Sequence, residues 1–408
     1  MQIRNNELGL KESSHTRKTF DRIPSKPLKI AIVGGSNSAM RDGYIKYLQE
    51  CLVRDSKRSL EFSNFAMGGV TSLFGTIQNR RYNIAKTHNV ILFEYCVNDR
   101  FASVDGKYSA RMAGMSLEGF IRQCKSMNPD CIIIILIFGT NLPSYYNHGC
   151  VISAIYESVA RRYKIPVINV TEILLERAGI KFIKKLYREG DAAHYKRPGG
   201  TKIVAELISE QIIKHHLLRP KVREFQQHYR MYTGNLQSLQ FFTKFDAYSD
   251  CNAIKKSVFK NSIFEEVIYT IRGNSSINFN FRGKLLGLML KSDWYDGLIK
   301  ITLGEKELIT SSFSRFVREE EKCNLNLLSL PYYKSFNTCE FSRLSISVCQ
   351  NQQTDYELDF CKAKPKVAPK DWKLSLVGIA YTGEINMLDT TELTVCEAES
   401  RKTSAVVA

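Results

Sequence analysis

Apolar residues in the first half of the chain form short unbroken runs, and the segments between the runs have helical spacing. LKIAIVGG (28–35), NVILFEYC (89–96), CIIIILIF (131–138) and PVINV (166–170) are continuous apolar runs, the pattern of strands buried on both faces. Between them, Tyr44, Leu48 and Leu52 recur at three- and four-residue spacing. Leu117, Phe120, Ile121 and Cys124 do the same, as do Val151, Ile155 and Val159. TKIVAELISEQIIKHHL, directly after Gly199 and Gly200, predicts a closing helix. Strands that alternate with helices predict an α/β domain, with helices on both faces of a parallel sheet.

The periodicity changes near Pro220. Ile277, Phe279 and Phe281 share one face of SINFNFRG, and Ile299, Ile301 and Leu303 share one face of GLIKITLG. LSLVGIAYTG (374–383) is a further strand. Period-two alternation in short segments predicts an antiparallel β-sandwich. The expected organisation is a flexible lead-in at 1–27, the α/β domain at 28–220, and a polar, aromatic bridge at 221–245. A β-sandwich at 246–386 and a polar tail at 387–408 complete it.

Composition adds constraints on partners. With 44% hydrophobic and 24% charged residues, the chain has enough apolar material for sizeable cores. A formal net charge of +17 points to an anionic partner such as an acidic glycan, a nucleic acid or an anionic membrane surface. No nucleic-acid recognition motif accompanies the charge, so the glycan is the preferred partner. The 11 cysteines are odd in number and scattered, which predicts reduced thiols rather than a disulfide framework. No Cys/His cluster has metal-ligand spacing, so neither a metal nor another cofactor is expected. The polar opening residues lack an apolar signal core, and CIIIILIF is too short to span a bilayer. A cytoplasmic location is the resulting expectation.

Four blocks carry candidate chemistry. VGGSNS places Ser36 between the first strand and the first helix, at the sheet edge where open α/β folds build sites. The helix start adds N–H donors for a developing oxyanion. The block is neither a phosphate-binding P-loop nor a dinucleotide fingerprint, because G-K-[ST] and G-x-G-x-x-G are absent. NFAMGGVTS (64–72) and YCVNDR (95–100) are the second and third blocks. DAAHYKRPGG (191–200) is the fourth, with Asp191 three residues before His194. That spacing lets the carboxylate reach Nδ1–H while Nε2 faces the serine, the orienting arrangement of a catalytic triad.

Together the blocks resemble those of the SGNH/GDSL hydrolase superfamily over roughly residues 28–216. The resemblance implies a flavodoxin-like three-layer fold with Ser36 as nucleophile and His194 and Asp191 as its base and acid. It further implies an oxyanion hole built from the N–H groups of Ser36 and Gly69 and the side-chain amide of Asn98. Two departures stand out. Gly35 and Asn37 replace the aspartate and leucine of G-D-S-L, and Cys96 replaces a glycine two residues before Asn98.

Other candidates have structural readings. Asp99 and the strand residue Glu94 are expected to support the site's loops, and Cys96 to be a buried thiol. His88, His148, His215 and His216 are expected on the surface or in loops, and Trp294 and Trp372 in the core of the β domain. The basic run KRPGGTK (196–202) either solvates the start of the closing helix or draws an anionic substrate toward His194. Three functions remain open: an O-acyl esterase removing acetyl groups from carbohydrate, a polysaccharide O-acetyltransferase using the same serine, and a non-catalytic glycan-binding scaffold.

Overall fold

The structure is a computed structural model describing residues 26–104, 106–219, 229–234, 236–246, 254–333, 335–349, 351 and 355–388. Almost all of the lead-in and of the polar tail lies outside the described residues. The first half runs β1 (Leu28–Gly34), α1 (Ser36–Ala39), α2 (Tyr44–Ser56), β2 (Leu60–Asn64), α3 (Ser72–Tyr82) and α4 (Ile84–Thr87). It continues with β3 (Val90–Glu94), α5 (Cys96–Ser103), α6 (Ala110–Met127), β4 (Ile132–Ile137) and α7 (Pro143–His148). Then come α8 (Val151–Tyr163), β5 (Val167–Asn169), α9 (Val170–Leu186) and α10 (Gly199–Lys214). The last expected strand is shorter than its apolar run, because Val170 opens α9.

The five strands form a parallel sheet in the order β2-β1-β3-β4-β5. Ile32, Leu92 and Ile134 lie side by side in register across β1, β3 and β4. Their unbroken apolar sequence follows from burial on both faces. Ala31 and Val33 pack into a core with α3, α6 and α8, whereas Ile30 and Ile32 pack into a core with α2, α9 and α10. Val33, Ile30 and Ile32 each contribute about 1.5–3 kcal/mol when fully buried. The order reverses between β1 and β3, which opens a crevice beyond their carboxyl ends.

The second half is antiparallel. Its strands are β6 (Gln240–Phe242), β7 (Ile254–Lys260), β8 (Glu265–Arg272), β9 (Ser276–Ser292), β10 (Leu298–Leu303) and β11 (Lys306–Ser311). β12 (Asn324–Ser329), β13 (Phe336–Val348) and β14 (Lys373–Met387) complete it. Ile277, Phe279, Phe281, Ile299, Ile301 and Leu303 enter one core, as their alternation requires. The nine strands form one continuous hydrogen-bonded antiparallel network. The long strands cause this: β9 pairs first with β13 and then with β12, while β14 runs along its other edge.

The two halves share apolar core. Phe264, Ile268, Met289 and Leu327 of the β half join the cluster around α3 and α6. A buried ion pair crosses the same contact, with Arg81 Nη2 2.5 Å from Glu266 Oε2; the two side chains are 9% and 6% exposed. Tyr82 donates its hydroxyl hydrogen to the other Glu266 oxygen at 3.0 Å. The stretch expected as a bridge is docked where it is described. Glu118 of α6 accepts from the N–H groups of Met231 and Tyr232, and Gln240–Phe242 pairs with β14.

Candidate active site

Ser36 begins α1 directly after β1. The turn is held from below, because Gly35 N–H donates to the Glu94 carbonyl at 2.8 Å and Ser38 Oγ donates to Glu94 Oε2 at 2.9 Å. Burial pushes the Glu94 carboxyl up to about 8, against the lowering pull of the Ser38 hydroxyl and the Gly35 N–H. Glu94 is thus the loop support expected, held neutral by its apolar surroundings. Its Oε1 has no partner among the described residues.

The Asp191–His194 loop returns to the same edge. Asp191 Oδ1 accepts the N–H groups of Ala193 and His194 at 2.9 and 3.1 Å, and Oδ2 lies 2.8 Å from His194 Nδ1. Partial burial raises the Asp191 carboxyl, but the Ala193 N–H and the His194 side chain outweigh it and leave a net lowering. His194 Nε2 lies 2.7 Å from Ser36 Oγ. The spacing argument places hydroxyl, imidazole and carboxylate in one relay, and the geometry has that arrangement.

Asn37 also joins the two loops, its Nδ2 donating to the Ala193 carbonyl at 3.0 Å. Sequence inspection registers Asn37 only as a departure from a leucine.

Gly69 and Asn98 line the same cavity as Ser36. Gly69 has φ +70°, a region natural to glycine. Asn64 ends β2 and orients this loop, donating to the Ser38 carbonyl and accepting from Ala66 N–H, each at 2.9 Å. The N–H groups of Ser36 and Gly69 have no acceptor among the described residues. Asn98 Oδ1 is buried over Gly35, where any Cβ would collide with it. The glycine in place of aspartate therefore makes room for the Asn98 amide.

Asp99 is structural. Its Oδ1 accepts Ser72 N–H at the start of α3, and its Oδ2 accepts the Tyr156 hydroxyl at 2.7 Å. Cys96 is a buried thiol beside Ser153 Oγ. His215 and His216 are exposed, and His88 lies in the loop after α4, buried, with Nδ1 3.1 Å from the carbonyl of Ile84, which opens that helix. The His88 ring is edge-on to Phe65. The His148 side chain lies outside the described residues. Trp372 is in the core, and Trp294 is half-buried, edge-on to Phe313.

The cavity, about 810 Å³, is closed by the second half of the chain. Phe264, Arg315, Phe316, Arg318 and Phe360 form this wall. The Cys361 thiol donates to the Gly69 carbonyl at 2.7 Å. None of these residues is legible as part of a site in the sequence, since each is an isolated side chain in a loop hundreds of residues away.

The strand order defines a flavodoxin-like α/β domain with a hydrogen-bonded Ser–His–Asp cluster at its switch point, joined to an antiparallel sheet. The same two-domain fold occurs in a two-domain esterase active on acetylated mannans, solved with mannopentaose. That structure is 14% identical, with 88% of this chain and 91% of that chain covered and a TM-score of 0.57. A second structure of a two-domain esterase active on acetylated mannans has a TM-score of 0.55 at 14% identity over 88% of this chain and 92% of that one. An acetylxylan esterase from Geobacillus stearothermophilus, solved as a catalytic mutant, aligns with 48% of this chain and 97% of its own. It is 13% identical, with a TM-score of 0.40. No family model and no curated protein sequence matches the chain.

Proposed function

We propose that this chain is a serine ester hydrolase of the SGNH type that removes acyl groups, acetyl above all, from a carbohydrate. The observation that carries this reading is the unbroken relay from Ser36 Oγ through His194 to Asp191, at 2.7 and 2.8 Å. Asp191 holds Nδ1–H and so leaves the Nε2 lone pair facing the serine. His194 takes the Ser36 proton as Oγ attacks the ester carbonyl. The N–H groups of Ser36 and Gly69 and the Asn98 amide face the developing oxyanion; each such donor is typically worth about 3–4 kcal/mol. His194 then protonates the departing sugar oxygen, and water activated by the same imidazole releases the acid. The acetylated-mannan esterases of like fold support the carbohydrate and acetyl parts of the proposal.

A fluorophosphonate probe tests it. Wild type should be labelled and Ser36→Ala should not. Acetate release from acetylated xylose, with and without a sugar acceptor, separates hydrolysis from transfer. An unlabelled wild type that releases no acetate would overturn the proposal.

A further inference from the structure

We infer that the ester substrate is an acidic glycan, whose anionic groups sit in a cationic cleft that borders the Ser36 cavity and is lined by the end of α9 and the segment that follows it. The inference rests on the ester-hydrolase reading above and names its substrate class.

The cleft holds about 1060 Å³ and shares Gly190 with the Ser36 cavity. Gly190 directly precedes Asp191, so the cleft borders the Ser36 cavity beside that carboxylate. One wall carries Asp42 and Tyr47, from the segment following Ser36. The other carries Lys184, Lys185, Arg188, Lys196 and Arg197, all exposed. Asp42 and Glu189 are the carboxylates lining the cleft.

Arg188 reaches Asp191 at 3.9 Å, and Lys184, Lys185, Lys196 and Arg197 have no ion pair among the described residues. Five cations against two lining carboxylates leave the cleft with a net positive charge. Arg315 and Arg318 line the Ser36 cavity itself, also without ion pairs among the described residues. Both the cavity and the cleft beside it thus carry unpaired cations. Like charges gathered within a Debye length of about 8–10 Å repel, and a polyanion crossing them relieves that repulsion.

The rings in the cleft favour a glycan over a nucleic acid. Single-stranded nucleic acids bind by stacking bases on open aromatic faces. Tyr187 is buried, and Lys46 and Lys202 lie 5.8 and 5.3 Å from the centre of the Tyr47 ring. A chain of sugars bearing carboxylates and acyl esters offers both the charge and the scissile bond.

The test compares wild type with Lys184→Ala/Lys185→Ala/Arg197→Ala on O-acetylated polygalacturonate, O-acetylated mannan and 4-nitrophenyl acetate. Wild type should prefer the acidic polymer by roughly tenfold in kcat/KM, with the preference shrinking as salt is added. The triple variant should lose that preference through KM, with kcat retained. Turnover of the aryl ester reports separately whether the serine site works in each protein. A wild type that cleaves the aryl ester but prefers mannan, or a variant that keeps the acidic preference, overturns the inference and leaves the hydrolase reading intact. No aryl ester cleavage by wild type sinks both. Stronger inhibition by a single-stranded oligonucleotide than by deacetylated polygalacturonate of equal charge would replace the glycan with a nucleic acid.

Discussion

The ring of Phe316 rests against Gly69 so closely that a Cβ on the glycine would stand 2.5 Å from it. A side chain from the antiparallel half thus sets the position of a backbone N–H that the proposed mechanism uses. Adding a methyl group should disturb both partners. Gly69→Ala meets the ring and also adopts a left-handed backbone costing about 1–2 kcal/mol. Turnover of an aryl acetate should fall by roughly tenfold or more. Adding Phe316→Ala should restore part of the loss, because it removes the collision and leaves the backbone cost. Strictly additive effects in that double-mutant cycle would show that the ring and the glycine are not coupled.

Asp191 accepts three hydrogen bonds within its own loop, two from backbone N–H groups and one from the imidazole. Asp191→Asn keeps an Oδ1 acceptor for both backbone N–H groups but turns an N–H toward Nδ1, so the loop is preserved and the tautomer is not. Turnover should fall on the order of 10⁴-fold, with the circular dichroism spectrum retained. Activity within a few-fold of wild type would remove Asp191 from the relay.

Glu94 gives the fold a pH dependence with a definite sign. In the folded chain it keeps its proton up to about 8, whereas the free side chain loses it near 4.5. Between those values the native state holds more protons than the unfolded state, so stability falls as pH rises. Glu94→Gln removes the titration and keeps an oxygen for Ser38. The fall in Tm from about pH 5.5 to about pH 8.5 should be several degrees smaller in the variant. Equal falls in both proteins would mean that Glu94 is charged in the fold.

The parallel sheet was largely legible because its central strands are continuous apolar runs. β2 was not. As an edge strand it is half-buried and reads LEFSN, with Glu61 exposed. Helix α3 escaped for the opposite reason. Its residues from Ser72 to Asn79 are all buried, under α6 on one side and the β half on the other, so no polar face marks a period. Ser36, Asp191 and His194 could be read because short-range spacing and strand ends locate them. The wall of Phe264, Phe316 and Cys361 could not, since it depends on how two halves distant in sequence pack.

Arg81 and Glu266 have a consequence beyond holding that packing. Each charge is tolerable away from water only while the other faces it, and losing one partner of such a pair typically costs about 3–5 kcal/mol. Neither half can therefore melt without parting this pair and baring the apolar core that the halves share. Heat should take the whole chain through a single calorimetric transition, and a fragment cut after α10 would inherit an orphaned guanidinium on its surface.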